Sequence, residues 1–95
     1  MALFTVILDY FGGTYVDQVR AGSTREACIK WAKKIDIKAV YGIGKQSARV
    51  LQEEMGDPLI HSLEGMENVW CTTALLNNKL ALINIIRTET LVDRK

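Results

Sequence analysis

The stretch that most constrains the fold is VWCTTALLNNKLALINIIRT at residues 69–88, an apolar run interrupted by Asn77, Asn78 and Lys79. A membrane-spanning helix needs about 20 nearly uninterrupted apolar residues, so this polar interruption makes insertion costly. A soluble helix could accommodate the stretch, but its many β-branched and aromatic side chains favour strands. An Asn-Asn pair also tolerates the positive φ angles of a tight two-residue turn. The stretch therefore predicts a β-hairpin.

A turn at Asn77-Asn78 determines which residues of this hairpin lie opposite each other. The predicted pairs on one face are Val69 with Ile86, Cys71 with Asn84, Thr73 with Leu82 and Leu75 with Leu80. The predicted pairs on the other face are Trp70 with Ile85, Thr72 with Ile83 and Ala74 with Ala81. A hairpin with one solvated face should alternate apolar and polar residues. Because both faces are mostly apolar, we expect both to be covered, and the pattern does not indicate which one meets the helices.

The N-terminal residues predict a second hairpin, with Gly12-Gly13 as the turn between two alternating runs. One face of this hairpin is apolar and is expected in the core: Phe4, Val6, Leu8, Tyr10, Tyr15, Val19 and Ala21. The opposite face is expected to be half-solvated: Thr5, Ile7, Asp9, Thr14, Val16, Gln18 and Arg20. Asp17 is the one charge on the apolar face, which predicts that it lies at an edge of the sheet.

Two helices are predicted between the hairpins. The first begins with a capping box, Ser23-x-x-Glu26, and buries Ala27, Trp31 and Ile35 at helical spacing. The second runs from about Lys45 to Met55, buries Ala48, Leu51 and Met55, and ends at Gly56-Asp57-Pro58. Residues 59–63 are assigned a short strand followed by a turn.

The predicted element order is therefore β-β-α-α-(β)-β-β, a single α+β domain over residues 1–95. Two hairpins flank two helices, and the antiparallel sheet carries the helices on one face. Two helices can cover only one face, so an apolar patch larger than monomers usually expose is left on the other. The candidate dimer or partner face comprises Ile7, Val16, Trp70, Leu75, Leu82 and Ile85.

A second copy packed sheet on sheet is the simplest cover for this face, which predicts a homodimer. The alternative is a monomer in which residues 59–68 fold across the sheet.

Composition and charge restrict the classes of function. The chain has 95 residues, of which 48% are hydrophobic and 24% charged, typical of a globular protein. Its net charge of +1 gives no global reason for a nucleic-acid or membrane partner. The N-terminal MALFTVILDYFGG lacks a basic segment and reaches Asp9 early, which argues against a secretory signal. Cys28 and Cys71 are better interpreted as small buried thiols of a cytoplasmic protein than as a disulfide.

Catalytic and metal-binding patterns are weak. His61 is the one histidine, and an ordinary surface imidazole is the simplest interpretation. A couple between His61 and Cys71 requires the fold to bring them together, and an apolar strand disfavours a Cys71 thiolate. No clustered ligand spacing indicates a metal site. We therefore expect no enzymatic activity, metal or cofactor, while a small-molecule cavity lined by Tyr15 and Trp31 stays open as a third possibility.

One stretch suggests a different chemistry: IDIKAVYGIGKQSARVLQEE, residues 35–54. Its apolar-Gly-apolar-Gly turn, with a small residue four positions after the second glycine, resembles the helix-hairpin-helix motif of DNA-binding proteins. In that family the backbone N–H groups of the turn hold DNA phosphates without reading sequence. The resemblance implies phosphate contacts from Gly42, Ile43, Gly44 and Lys45, flanked by Lys38 and Arg49. Local charge agrees, since six basic residues and one acid lie between Lys30 and Arg49.

The resemblance departs from the motif at Tyr41, where a proline-like residue is usual, and it covers a small part of the chain. The alternative is that Gly42 and Gly44 simply turn the chain between two helices.

A fainter likeness concerns the GGTY hairpin that leads into Ser23-Thr-Arg-Glu26-Ala27. It resembles small antitoxin partner domains of the HicB kind, which also place a capped helix after a β-hairpin. This resemblance implies that the exposed sheet face, or a sheet edge, binds a second protein. The leading expectation is thus a non-catalytic assembly or protein-interaction module that forms a homodimer, and the alternative is nucleic-acid backbone binding through the glycine turn.

Overall fold

The computed structural model describes residues 1–36, 39–40 and 43–88. These residues form an antiparallel sheet and two helices, which confirms the predicted α+β fold. The elements are β1 (Ala2–Tyr10), β2 (Gly13–Ala21), α1 (Thr24–Lys34), α2 (Lys45–Gly56), β3 (His61–Ser62), β4 (Val69–Leu76) and β5 (Lys79–Thr88).

The sheet has the strand order β2-β1-β5-β4-β3, so the two hairpins meet through β1 and β5 near its centre. These two strands pair antiparallel from Leu3 with Thr88 to Tyr10 with Ala81. The short strand β3 adds to the outer edge of β4. Residues 59–63 therefore contain the predicted strand, although it is confined to His61 and Ser62.

The C-terminal hairpin has the predicted register throughout. Asn77 and Asn78 form the turn with φ angles of 52° and 62°, in the left-handed region that asparagine tolerates better than most residues. Every cross-strand pair follows from that turn, from Leu75 opposite Leu80 to Val69 opposite Ile86.

The N-terminal hairpin turns one residue earlier than predicted. Tyr10 pairs with Gly13, and the two turn residues are Phe11 (φ 50°) and Gly12 (φ 82°). Moving a two-residue turn by one position shifts the pairing register by two residues. Because side chains alternate with a period of two, the predicted faces are unchanged although the partners differ.

Both helices begin and end for identifiable reasons. The Ser23 hydroxyl accepts a hydrogen bond from the Glu26 backbone N–H (3.1 Å), while the Glu26 carboxylate accepts one from the Gly22 N–H. Helix α2 begins after Gly44, which supplies no side-chain cap. An ion pair of 2.7 Å between Arg25 and Asp57 joins the start of α1 to the end of α2.

The core lies between the helices and one face of the sheet. The buried residues that the helices contribute include Ala27, Cys28, Trp31 and Ala32 from α1 and Ala48, Leu51 and Met55 from α2. The sheet contributes the buried residues Phe4, Val6, Leu8, Tyr10, Val19, Ala21, Ala74, Leu76, Ala81, Ile83 and Ile85. The Tyr10 hydroxyl donates to the Leu76 carbonyl (2.9 Å), which satisfies this buried polar group. Neither α1 nor α2 is long and apolar enough to cross a membrane.

Candidate interaction surface

The face of the sheet away from α1 and α2 is called here the open face. Its members follow from the register, because residues directly opposite each other in antiparallel strands point to the same side. They are Leu3, Thr5, Ile7, Asp9, Thr14, Val16, Gln18, Arg20, His61, Val69, Cys71, Thr73, Leu75, Leu80, Leu82, Asn84, Ile86 and Thr88.

Large apolar side chains remain exposed on this face. The exposed fractions are 63% for Val16, 61% for Leu75, 63% for Leu80 and 37% for Leu82, and Ile7 is half-buried. Leu80 was missing from the predicted face, although its pairing opposite Leu75 could have placed it there. An apolar surface of this kind, next to a second face that is already packed, is unusual for a monomer.

Two members of the predicted face belong to the opposite side of the sheet. Ile85 lies opposite Val6 and Trp70 and is fully buried beneath the helices. Trp70 is half-buried on the same side, with its ring centroid 6.3 Å from that of Phe4. The prediction was wrong for these residues because both faces of the 69–88 hairpin are apolar, and the helices cover the face that contains Trp70 and Ile85.

Residues 59–68 do not cover the open face. Pro58 is buried, but the residues after it form β3, which extends the sheet beside β4. The chain then turns back towards β4, and the Leu63 N–H donates to the Val69 carbonyl (3.1 Å). Leu59 remains 75% exposed. The monomeric alternative raised from the sequence therefore lacks its proposed cover.

Several polar side chains of the open face pair with one another. The Thr14 hydroxyl donates to Asp9 (2.6 Å), the Gln18 amide donates to the Thr5 hydroxyl (3.0 Å), and Thr5 shares a hydrogen bond of 2.7 Å with Thr88. Burying a polar group costs free energy unless it has a hydrogen-bond partner. These pairs lower the cost of covering the face.

A single row of residues crosses the middle of the open face, from β3 to β2. It consists of His61, Cys71, Asn84, Ile7 and Val16, each directly opposite the next. The fold thus unites His61 with Cys71, the condition that the sequence could not test. We call this line the middle row.

The edge at β2 is closed by side chains. The Gln18 N–H donates to the Asp17 carboxylate (2.8 Å), and the Gln18 carbonyl accepts from Lys34 Nζ (2.6 Å), which also pairs with Asp17 at 3.1 Å. Lys30 Nζ donates to the Arg20 carbonyl (2.9 Å). These contacts occupy backbone groups that another strand would need, as natural edge strands require. Asp17 lies at the edge as predicted, and its role there is structural.

Replacing Lys34 with alanine is expected to open this edge. Because the Asp17–Lys34 pair is exposed, we expect a loss of only about 0.5–1 kcal/mol in the free energy of unfolding. The larger effect should be slow aggregation at high protein concentration, measured by light scattering over time. Lys33→Ala is the matched control, since Lys33 lies on the same helix and is exposed. Equal aggregation of both variants would contradict this role for Lys34.

The glycine turn only partly matches a phosphate-binding motif. Lys38 and Gly42 lie outside the described residues. The Ile43 side chain is buried and its N–H donates to the Val40 carbonyl (3.4 Å), while Lys45 and Arg49 are exposed near the start of α2. Helix α1 ends at Lys34 and residues 39–40 form a turn, so no described helix leads directly into the glycines.

Neither cysteine forms a disulfide, and they lie in different environments. Burial raises the pKa of the Cys28 thiol from 9.0 to about 11, with Arg25 partly opposing the shift. Cys28 is therefore a neutral core residue, whereas Cys71 is half-buried on the open face. Within residues 1–36, 39–40 and 43–88, no group of three or more histidine, cysteine or acidic residues could hold a metal ion.

A cavity of about 340 Å³ is lined by both Tyr15 and Trp31, the two residues around which the sequence suggested a small-molecule cavity. Asp17 and Asp36 are the charged groups among its described lining residues, and Asp17 already pairs with Lys34. The volume and lining of this cavity do not indicate a class of ligand.

Comparison with protein-family models, with curated proteins and with solved structures finds no match for this chain.

Proposed function

We propose that this protein is a non-catalytic assembly module that forms a homodimer through the open face of its sheet. The observation that carries the proposal is the exposure of Val16, Leu75, Leu80 and Leu82 on a face that neither helix covers. Burial of such side chains is the main favourable term in protein association.

The open face is comparable in size to a small dimer interface. Its four long strands have 8 to 10 residues each. Strand spacing and rise give this face roughly 19 Å by 26 Å, or about 500 Å² in projection. A standard interface buries about 800 Å² of accessible surface on each partner, measured over the contours of the side chains and not in projection. Most of the open face would therefore be used.

A second copy fits this face better than a strand added at an edge. The β2 edge is closed by Lys30 and Lys34, and β3 is only two residues long. Asp9 and Arg20 lie on opposite sides of the middle row. A two-fold axis along that row, in the plane between two packed sheets, would place Asp9 of one copy over Thr5 of the other, on the same side of the row as Arg20. Such self-complementarity is what an isologous interface requires.

The test is the molar mass in solution, measured by light scattering behind size exclusion across a range of concentrations. A chain of 10.7 kDa should elute with the mass of two chains and dissociate only on dilution. A one-chain mass at all concentrations would overturn the proposal. If the protein is a monomer alone and forms a complex only when a different protein is added, the open face binds that protein and not a second copy. The two free thiols further support a cytoplasmic location.

Nucleic-acid backbone binding is the second candidate function. It is favoured by exposed Lys45 and Arg49 at a helix start that has no acidic residue in its first turn. A Lys45→Glu/Arg49→Glu variant should then lose salt-dependent binding to duplex DNA, measured by fluorescence anisotropy. Equal binding by wild type and variant would exclude this site.

A further inference from the structure

We propose that two copies of the chain together bind one thiophilic divalent cation, such as zinc, through His61 and Cys71 of each copy. The inference rests on the proposed dimer, because one chain supplies only half of the site. The metal would lie at the end of the middle row formed by His61, Cys71 and Asn84, away from the apolar Ile7 and Val16.

The geometry within one chain places both donors together. His61 and Cys71 lie directly opposite each other in the β3–β4 pair, with both side chains on the open face. Residues paired in this way have Cβ atoms about 4.5–5.5 Å apart. Zinc binds cysteine sulfur at about 2.3 Å and histidine nitrogen at about 2.0–2.1 Å. One imidazole and one thiolate at this separation can therefore reach the same ion.

The remaining two ligands require a second copy. Structural zinc sites are almost always four-coordinate, and no described cluster in a single chain offers more than two such donors here. The two-fold axis along the middle row places each member of that row against the same residue of the other copy. Packed sheets lie about 10 Å apart, so donors from both sheets meet midway between them. The result is a Cys₂His₂ set.

A bound metal would also offset the free-energy cost of burying the His61 and Cys71 side chains in the dimer. The polar pairs of the open face involve Asp9, Thr14, Thr5, Gln18 and Thr88, and none of the described hydrogen bonds includes the side chains of His61 or Cys71. Covering an imidazole and a thiol without partners is costly. On binding, zinc displaces the thiol proton to solvent and accepts the imidazole nitrogen lone pair, with no change in oxidation state. Asn84, beside Cys71 in the row, is placed to donate an amide hydrogen bond to the thiolate.

The experiment titrates the reduced protein with cobalt(II), then displaces it with zinc, while molar mass is followed by light scattering. The expected result is one metal per two chains, with the charge-transfer and d–d absorption of a tetrahedral thiolate site. Cys71→Ser and His61→Asn should each weaken binding by more than the ~10–100-fold that loss of an outer-sphere partner costs. Cys28→Ala is the control and should bind like wild type, because Cys28 is buried in the core.

The outcomes separate this inference from the proposed function. A dimer that binds no cobalt, or binds it equally well after Cys71→Ser, overturns the metal site and leaves the dimer standing. One metal per chain, or a Cys71–Cys71 disulfide in place of metal binding, also overturns it. A monomer at all metal concentrations overturns both proposals, whereas a dimer that forms only with metal supports both.

Discussion

A Leu82→Glu variant is expected to be a folded monomer, with the dissociation constant of the dimer raised about 100-fold or more. Leu82 lies on β5 next to the middle row, opposite Thr73 and Asp9, and is 37% exposed in the single chain. A glutamate there stays hydrated in the monomer but is buried without a partner in the dimer. That burial costs several kcal/mol, and each 1.4 kcal/mol changes an affinity tenfold. Light scattering and sedimentation equilibrium measure the change.

Leu59→Glu is the matched control for this variant. Leu59 is 75% exposed, but it lies between α2 and β3 and not on the open face, so the same change of charge should leave the dimer intact. Far-ultraviolet circular dichroism should show that both variants keep the wild-type secondary structure. If Leu82→Glu dimerises as tightly as wild type, the open face is not the interface.

An Ile85→Ala variant is expected to lose about 2–5 kcal/mol in the free energy of unfolding, the range for deleting a buried aliphatic side chain. Ile85 is fully buried on the covered face, where it lies opposite Val6 and Trp70. Its removal leaves a cavity beneath the helices and does not alter the open face. Urea unfolding at a fixed protein concentration, followed by tryptophan fluorescence, measures the loss.

The conservative Ile85→Val variant calibrates this result and should lose only about 0.5–1.5 kcal/mol. The folded fraction of either variant should associate like wild type. A variant that weakens association while leaving the free energy of unfolding unchanged would show that the two faces of β5 have been assigned the wrong way round.

Much of the fold could be predicted because local chemistry determines it. Asn77 and Asn78 set the register of the C-terminal hairpin, and the Ser23–Glu26 capping box sets the start of α1. The faces of the N-terminal hairpin were also correct, although its turn lies at Phe11-Gly12. The observed turn places Phe11, which is not a glycine, at one of its two positive φ angles, so local turn chemistry favours Gly12-Gly13 and the observed register is set by packing elsewhere.

The candidate site was less predictable for two physical reasons. Trp70 and Ile85 could not be separated from Leu75 and Leu82, because periodicity distinguishes two faces only when one is polar. The hairpin turn predicted Asn84 on one side of Cys71, but the neighbour on its other side could not be known. His61 reaches it through a two-residue strand that carries almost no propensity signal and depends on pairing with β4.

The pairing of β1 with β5 has a consequence for how the protein is made. The two hairpins can each close from neighbouring residues, but the pair that joins them connects residue 3 to residue 88 and residue 10 to residue 81. Contacts this distant in sequence slow folding, because the chain between them must lose entropy first. During translation, β1 lacks its inner neighbour until β5 has left the ribosome. We therefore expect the nascent chain to present one unpaired edge of β1 until β5 has been synthesised, and chaperones would have this edge to protect.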